Sequence, residues 1–133
     1  MTPIEVSLLE AIEKIRLTDE RYRREAYVFV VAALGATVQD LPRERLRDPR
    51  RRHLSGCELL KGVVALARRE FGPLAATVFR EWGVRSNEDV GHIVFQLVSS
   101  GQLSARPEDT MEDFRAPPDL MSALSEDLSS QRR

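Results

Sequence analysis

The chain has 133 residues, one cysteine and a formal net charge of −1, from 20 basic and 21 acidic side chains. That is the length of one ordinary domain, long enough to bury its own core. The lone Cys57 excludes an internal disulfide and fits a reducing compartment, and the balanced charge leaves polyanion binding only to local patches.

Apolar residues make up 42% and charged residues 31%, a globular composition. No apolar run approaches the roughly 20 residues of a membrane span. Met1 to Val6 lacks the basic and apolar regions of a signal peptide. The expected location is cytoplasmic, with no membrane partner.

Thr2 and Glu5 have capping-box spacing, and Pro3 suits a first helical position. Ile4, Leu8, Leu9, Ile12 and Ile15 follow at helical spacing, which predicts a first helix over 3–16. Thr18 or Asp19 caps a second, over 20–38, with Tyr22, Ala26, Tyr27, Val30, Val31 and Leu34 on its apolar face. Tyr22 and Tyr27 are five residues apart and share no tight ridge, so at least one is expected at the surface.

Residues 40–54 break the pattern. Arg43, Arg45, Arg47, Arg50, Arg51 and Arg52 stand against Glu44 and Asp48, six positive charges against two, a local +4. With Pro42 and Pro49 and few apolar residues, the segment reads as a solvated basic loop.

Ser55 and Glu58 form a second capping-box pattern. Leu59, Leu60, Val63, Val64, Leu66, Ala67 and Phe71 then predict a third helix over 56–71, stopped by Gly72. Pro73 starts the fourth, with Leu74, Val78, Phe79 and Trp82 on its apolar side and Gly83 at its end. Ser86 caps the fifth, where Glu88 and Asp89 complement the helix dipole. Its stripe is Val90, Ile93, Val94, Leu97 and Val98, and Gly101 ends it.

Residues 102–105 and 110–114 read as two short strands around a turn at Arg106-Pro107-Glu108-Asp109. From Ala116 the chain is rich in Pro, Ser and acids, which predicts a flexible tail over 116–133 after a single compact domain over 1–115. The expected fold is therefore mainly α, with five helices. Helices four and five resemble a helix-turn-helix, and the hairpin would be a small wing, giving a winged-helix-like body. A plain helical bundle is the alternative.

Reading DNA through helix five is disfavoured. A recognition helix needs base-reading donors and cations near phosphates, and no Lys or Arg occurs from Ser86 to Ala105. The arginines of 43–52 are the candidate nucleic-acid contacts, set against two bland readings: a solvated linker, or a partner for Glu108, Asp109, Glu112 and Asp113. No aromatic residue interleaves with them, so base stacking is not indicated.

His53, Cys57, Glu58 and a remote His92 are too few for a metal centre, and no metal or cofactor is expected. Cys57 lies early in a capping box, where a small residue also suits packing. Asp89 and His92, at i and i+3, can touch, but no nucleophile joins them, so no mechanism assembles and no enzyme is expected. Trp82 reads either as a core anchor or as an exposed hot spot.

The combination Arg24-Glu25-Ala26-Tyr27, His53-Leu54-Ser55-Gly56-Cys57-Glu58-Leu59-Leu60, Phe71-Gly72-Pro73, Glu81-Trp82-Gly83, Glu88-Asp89-Val90-Gly91-His92-Ile93-Val94-Phe95 and Glu112-Asp113-Phe114 spans most of the chain. It resembles a family of small uncharacterised bacterial proteins. The resemblance implies one compact domain in a bacterial cytoplasm. It implies no activity, cofactor or catalytic residue, so no site is carried over. The arginine segment is longer and more basic than the resemblance leads one to expect. The stretch after Phe114 is Pro/Ser-rich where aromatic and acidic residues are expected.

The expected function is a non-catalytic protein-interaction module, with Tyr22, Tyr27, Trp82, His92 and Phe114 as its partner surface. The alternative is weak, salt-dependent nucleic-acid binding through Arg43 to Arg52.

Overall fold

The structure, a computed structural model, describes residues 5–116 and 118–125. Its helices are α1 (Glu5–Thr18), α2 (Arg24–Gln39), α3 (Arg43–Arg47), α4 (Gly56–Phe71), α5 (Ala75–Glu81), α6 (Asn87–Ser99), α7 (Glu112–Arg115) and α8 (Leu120–Leu124), with a 3-10 turn over Gly72–Leu74 joining α4 to α5.

Local chemistry explains the sharpest boundaries. Ser55 accepts from the Glu58 amide at 3.1 Å, and Glu58 accepts from the Ser55 amide at 2.9 Å, closing the capping box of α4. Ser86 and Asp89 do the same for α6. Gly83 ends α5 at φ 87°, and a Cβ there would sit 2.2 Å from the Arg21 carbonyl oxygen. Only glycine fits both that backbone conformation and that approach.

Helix α4 is the hub. It packs against α2, α5, α7 and α8 and touches α6. Leu59, Leu60, Val63, Val64 and Ala67 supply its buried face, each large side chain contributing about 1.5–3 kcal/mol by leaving water. Gly62 lets α2 come close, since a Cβ there would lie 1.9 Å from Thr37 Oγ1.

Several expectations are corrected. The helices exceed five: α3, α7 and α8 are short helices in segments read as loop, strand and tail. No strand forms among the described residues, so the winged-helix reading loses its wing. After α6 the backbone curls back at Gly101, with the Gln102 amide on the Leu97 carbonyl at 2.9 Å. Asp109 accepts from the Arg106 amide and Asp113 from the Thr110 amide, and these local bonds turn the chain where a hairpin would need it extended.

The tail boundary also moves. Leu120 and Leu124 are buried, and α8 lies on α4 and α5. Asn87 pins this return: its Oδ1 accepts from the Leu120 amide at 2.7 Å, and its Nδ2 donates to the carbonyls of Ala116 and Pro118. The packed body thus reaches at least residue 125, and residues 126–133 lie outside the described residues.

Candidate binding surfaces

The aromatic side chains proposed for a partner surface are mostly core. Tyr22 and Tyr27 are 1% and 0% exposed, and Phe114 is 3% exposed. That overturns their expected place on the surface. The reason for the tyrosines is polar: each hydroxyl finds a part-buried partner across the fold, so both rings sink. Tyr22 donates to Asp89 Oδ1 at 2.6 Å and lies 3.2 Å from His92 Nδ1. Tyr27 donates to Gln96 Oε1 at 2.7 Å, and Gln96 Nε2 donates to Asp19 Oδ2 at 2.8 Å. Asp19 in turn takes the Arg21 guanidinium.

The electrostatics follow. The Arg21 fork holds Asp19 down at about 2. Burial, then the Asp19 charge, pushes the Tyr27 phenol up to about 12. Burial and the Asp89 hydrogen bond push Tyr22 higher still.

Phe114 is wedged between α4 and α6, where only glycine leaves room. A Cβ at Gly56 or Gly91 would sit 3.0 or 3.1 Å from its ring. Trp82 is half-buried in a cluster with Phe29, Phe71 and Phe79 at centroid distances of 5.4–5.7 Å; it is a core anchor. Of the five, His92 keeps substantial exposure, 39% of its side chain.

The arginine segment is not the loose loop expected. Arg45 forks onto Glu58, reaches the His53 carbonyl at 3.1 Å, and also donates to the Arg51 carbonyl. It is therefore structural, which removes it from the candidate phosphate contacts. The Arg45 fork, with the Ser55 donors, pulls the Glu58 carboxyl down to about 2. His53 Nε2 meets Asp109 Oδ2 at 2.6 Å, and Arg106 donates to the Arg50 carbonyl.

Two clips thus fasten the segment to the turn at 106–109, and a third fastens it to the start of α4. Arg43, Arg47, Arg50, Arg51 and Arg52 stay exposed. None of their side chains has a hydrogen-bond or ion-pair partner among the described residues. Three of the four acids that could have partnered them are occupied elsewhere: Asp109 with His53, Glu112 with Arg115 and Asp113 with the Thr110 amide.

A groove of about 680 Å³ opens between α1 and α6, with Lys14, Arg21, His92, Gln96 and Gln102 on its walls. Sequence reasoning missed it, and missed the Arg45–Glu58 and Tyr27–Gln96–Asp19 links, because all depend on residues far apart in the chain. Among the described residues no three His, Cys, Asp or Glu side chains come together as metal ligands, and no helix is long and apolar enough to cross a membrane. Comparison with family models, with curated proteins and with solved structures found no match.

Proposed function

We propose that the protein is a non-catalytic binding module that holds the phosphate backbone of a nucleic acid on a ridge of Arg43, Arg47, Arg50, Arg51 and Arg52. The observation that carries this reading is that these five exposed cations sit on a segment fixed by Arg45–Glu58, His53–Asp109 and Arg106–Arg50. A backbone held in place loses less conformational freedom when its arginines meet phosphates than a loose loop would. Arginine's fork also matches phosphate geometry.

The ridge carries no aromatic platform, so affinity comes from counterion release and sequence preference is weak. The setting is a bacterial cytoplasm, as the motif resemblance and the single free thiol suggest. The test is fluorescence anisotropy with labelled duplex DNA and single-stranded RNA at about 50 and 200 mM salt. With three to five phosphate contacts on duplex DNA, the affinity falls about 40- to 500-fold between the two. No binding at tens of micromolar overturns the reading.

A protein partner is the second reading. It no longer rests on Tyr22, Tyr27 or Phe114. What favours it is the outer side of α1, where Leu9 is 51% and Leu17 83% exposed.

A further inference from the structure

Helix α2 is a surface helix without a polar side. From Ala26 to Val38 it carries no charged residue. Ala26, Tyr27, Val30 and Ala33 face the core. The opposite side holds Val28, Val31, Ala32, Gly35 and Ala36. Val28 is 41% exposed, Ala32 and Gly35 are exposed, and Val31 and Ala36 are half-buried. A Cβ at Gly35 would meet nothing within 4 Å among the described residues. Surface helices turn charged residues outward, and a helix that is apolar all round is one that something covers. Leu9 of α1, 51% exposed, widens the patch. Glu13 pairs with Arg24 at 2.8 Å across the hairpin, so Leu9, one turn before Glu13, stands level with Val28, one turn after Arg24.

The two ends of this side differ in sign. Arg24, Val28, Ala32, Ala36 and Asp40 recur at every fourth residue and form one ridge. Arg24 and Asp40 stand on either side of Ala32, each about 12 Å from it along the axis. Both are exposed; Arg24 holds only Glu13, and Asp40 has no ion-pair partner among the described residues. Turned end for end, the ridge is complementary to itself: Ala32 meets Ala32, Val28 meets Ala36 twice, and Arg24 meets Asp40 twice. Two ridges of this kind lie side by side when their helices cross at about 50°. A two-fold axis generates that pairing, in which each patch is its own partner.

We propose that α2 docks on α2 of a second copy of this chain, antiparallel across a two-fold axis at Ala32. The charge pattern selects this occupant, because an unrelated partner needs no match between the two ends of one helix. The small side chains at the centre let the two backbones approach closely, and Leu9 and Val28 close the apolar contact on each side. One helix pair is a small interface, so a dissociation constant of about 10–100 µM is expected. The contact is separate from the arginine ridge and does not depend on it.

The test is sedimentation velocity of the full chain from about 5 to 500 µM, a range that brackets the expected constant. The wild-type protein should pass from monomer to dimer, and R50S/R51S/R52S should do the same. Ala32→Glu sets two carboxylates against each other at the axis and should weaken association at least tenfold, with folding verified by circular dichroism. R24E and D40R each place like charges opposite one another and should weaken it about tenfold. An equimolar mixture of R24E and D40R should recover the wild-type constant, because the mixed dimer has opposite charges at both ends; a merely adhesive patch gives no such rescue. Wild-type protein that stays monomeric at about 500 µM overturns the proposal and leaves the face to a different protein or to the ends of the same chain. So does wild-type association in Ala32→Glu, or a mixture that associates no more tightly than its two components.

Discussion

Tyr22 and Asp89 stand 67 positions apart and share one hydrogen bond of 2.6 Å. Asp89 also closes the capping box of α6 and accepts from the Arg85 amide at 2.8 Å. One carboxylate therefore sets the start of α6 and ties it to the turn before α2.

Removing the phenol hydroxyl leaves the cap intact, so Tyr22→Phe should cost about 1.5–3 kcal/mol, the range for a hydrogen bond to a charged group. Asp89→Ala loses the cap as well and should cost about 1 kcal/mol more. Urea denaturation of the two variants checks the order. Equal stabilities would mean that the carboxylate's capping role contributes nothing.

Two glycines make opposite predictions. At Gly83 an alanine Cβ meets a backbone oxygen at 2.2 Å, at a φ of 87°; Gly83→Ala should destabilise by about 2 kcal/mol or more. At Gly35, inside α2, a Cβ meets nothing within 4 Å. Gly35→Ala should stabilise by about 0.5–1 kcal/mol, the helix-propensity gain. Thermal melts of the pair decide it.

The acid limb of stability belongs to Glu58 and Asp19. Both carboxyls are held at about 2, below their ordinary 4.5 and 3.8. A depressed folded value gives stability that is present above the unfolded value and lost as pH falls through the folded one. The loss should run from about pH 4.5 down to about 2. Arg45→Met should flatten the Glu58 part of it in pH-dependent denaturation. At the alkaline end Tyr27, raised to about 12, contributes stability present below pH 10 and lost as pH rises from 10 to about 12.

The apolar periodicity and cap chemistry made the long helices legible. Ser55 to Glu58 set the start of α4, and Gly101 ended α6 with its left-handed φ of 80°. The short helices were not legible. A helix of four or five residues, such as α7, has too few turns for periodicity, and it persists because Phe114 fits against Gly56 and Gly91. Helical spacing places Tyr22 within the second helix, but α2 starts at Arg24 and Tyr22 lies in the turn before it, where its hydroxyl reaches α6. The arginine run was visible as charge, but Arg45 could not be told from its neighbours, because its partner Glu58 lies 13 residues on. The groove was not visible at all, since it needs α1 and α6 side by side.

The most direct measurement is the salt dependence of duplex-DNA binding by the wild-type protein and by R50S/R51S/R52S, with equal folding of the two verified by circular dichroism. If the ridge contacts phosphates, the wild-type log–log slope is about −3 to −4.5, and the variant's is shallower by about 2–3 units. An identical slope in both proteins, or a wild-type affinity indifferent to salt, would contradict the assignment of the ridge.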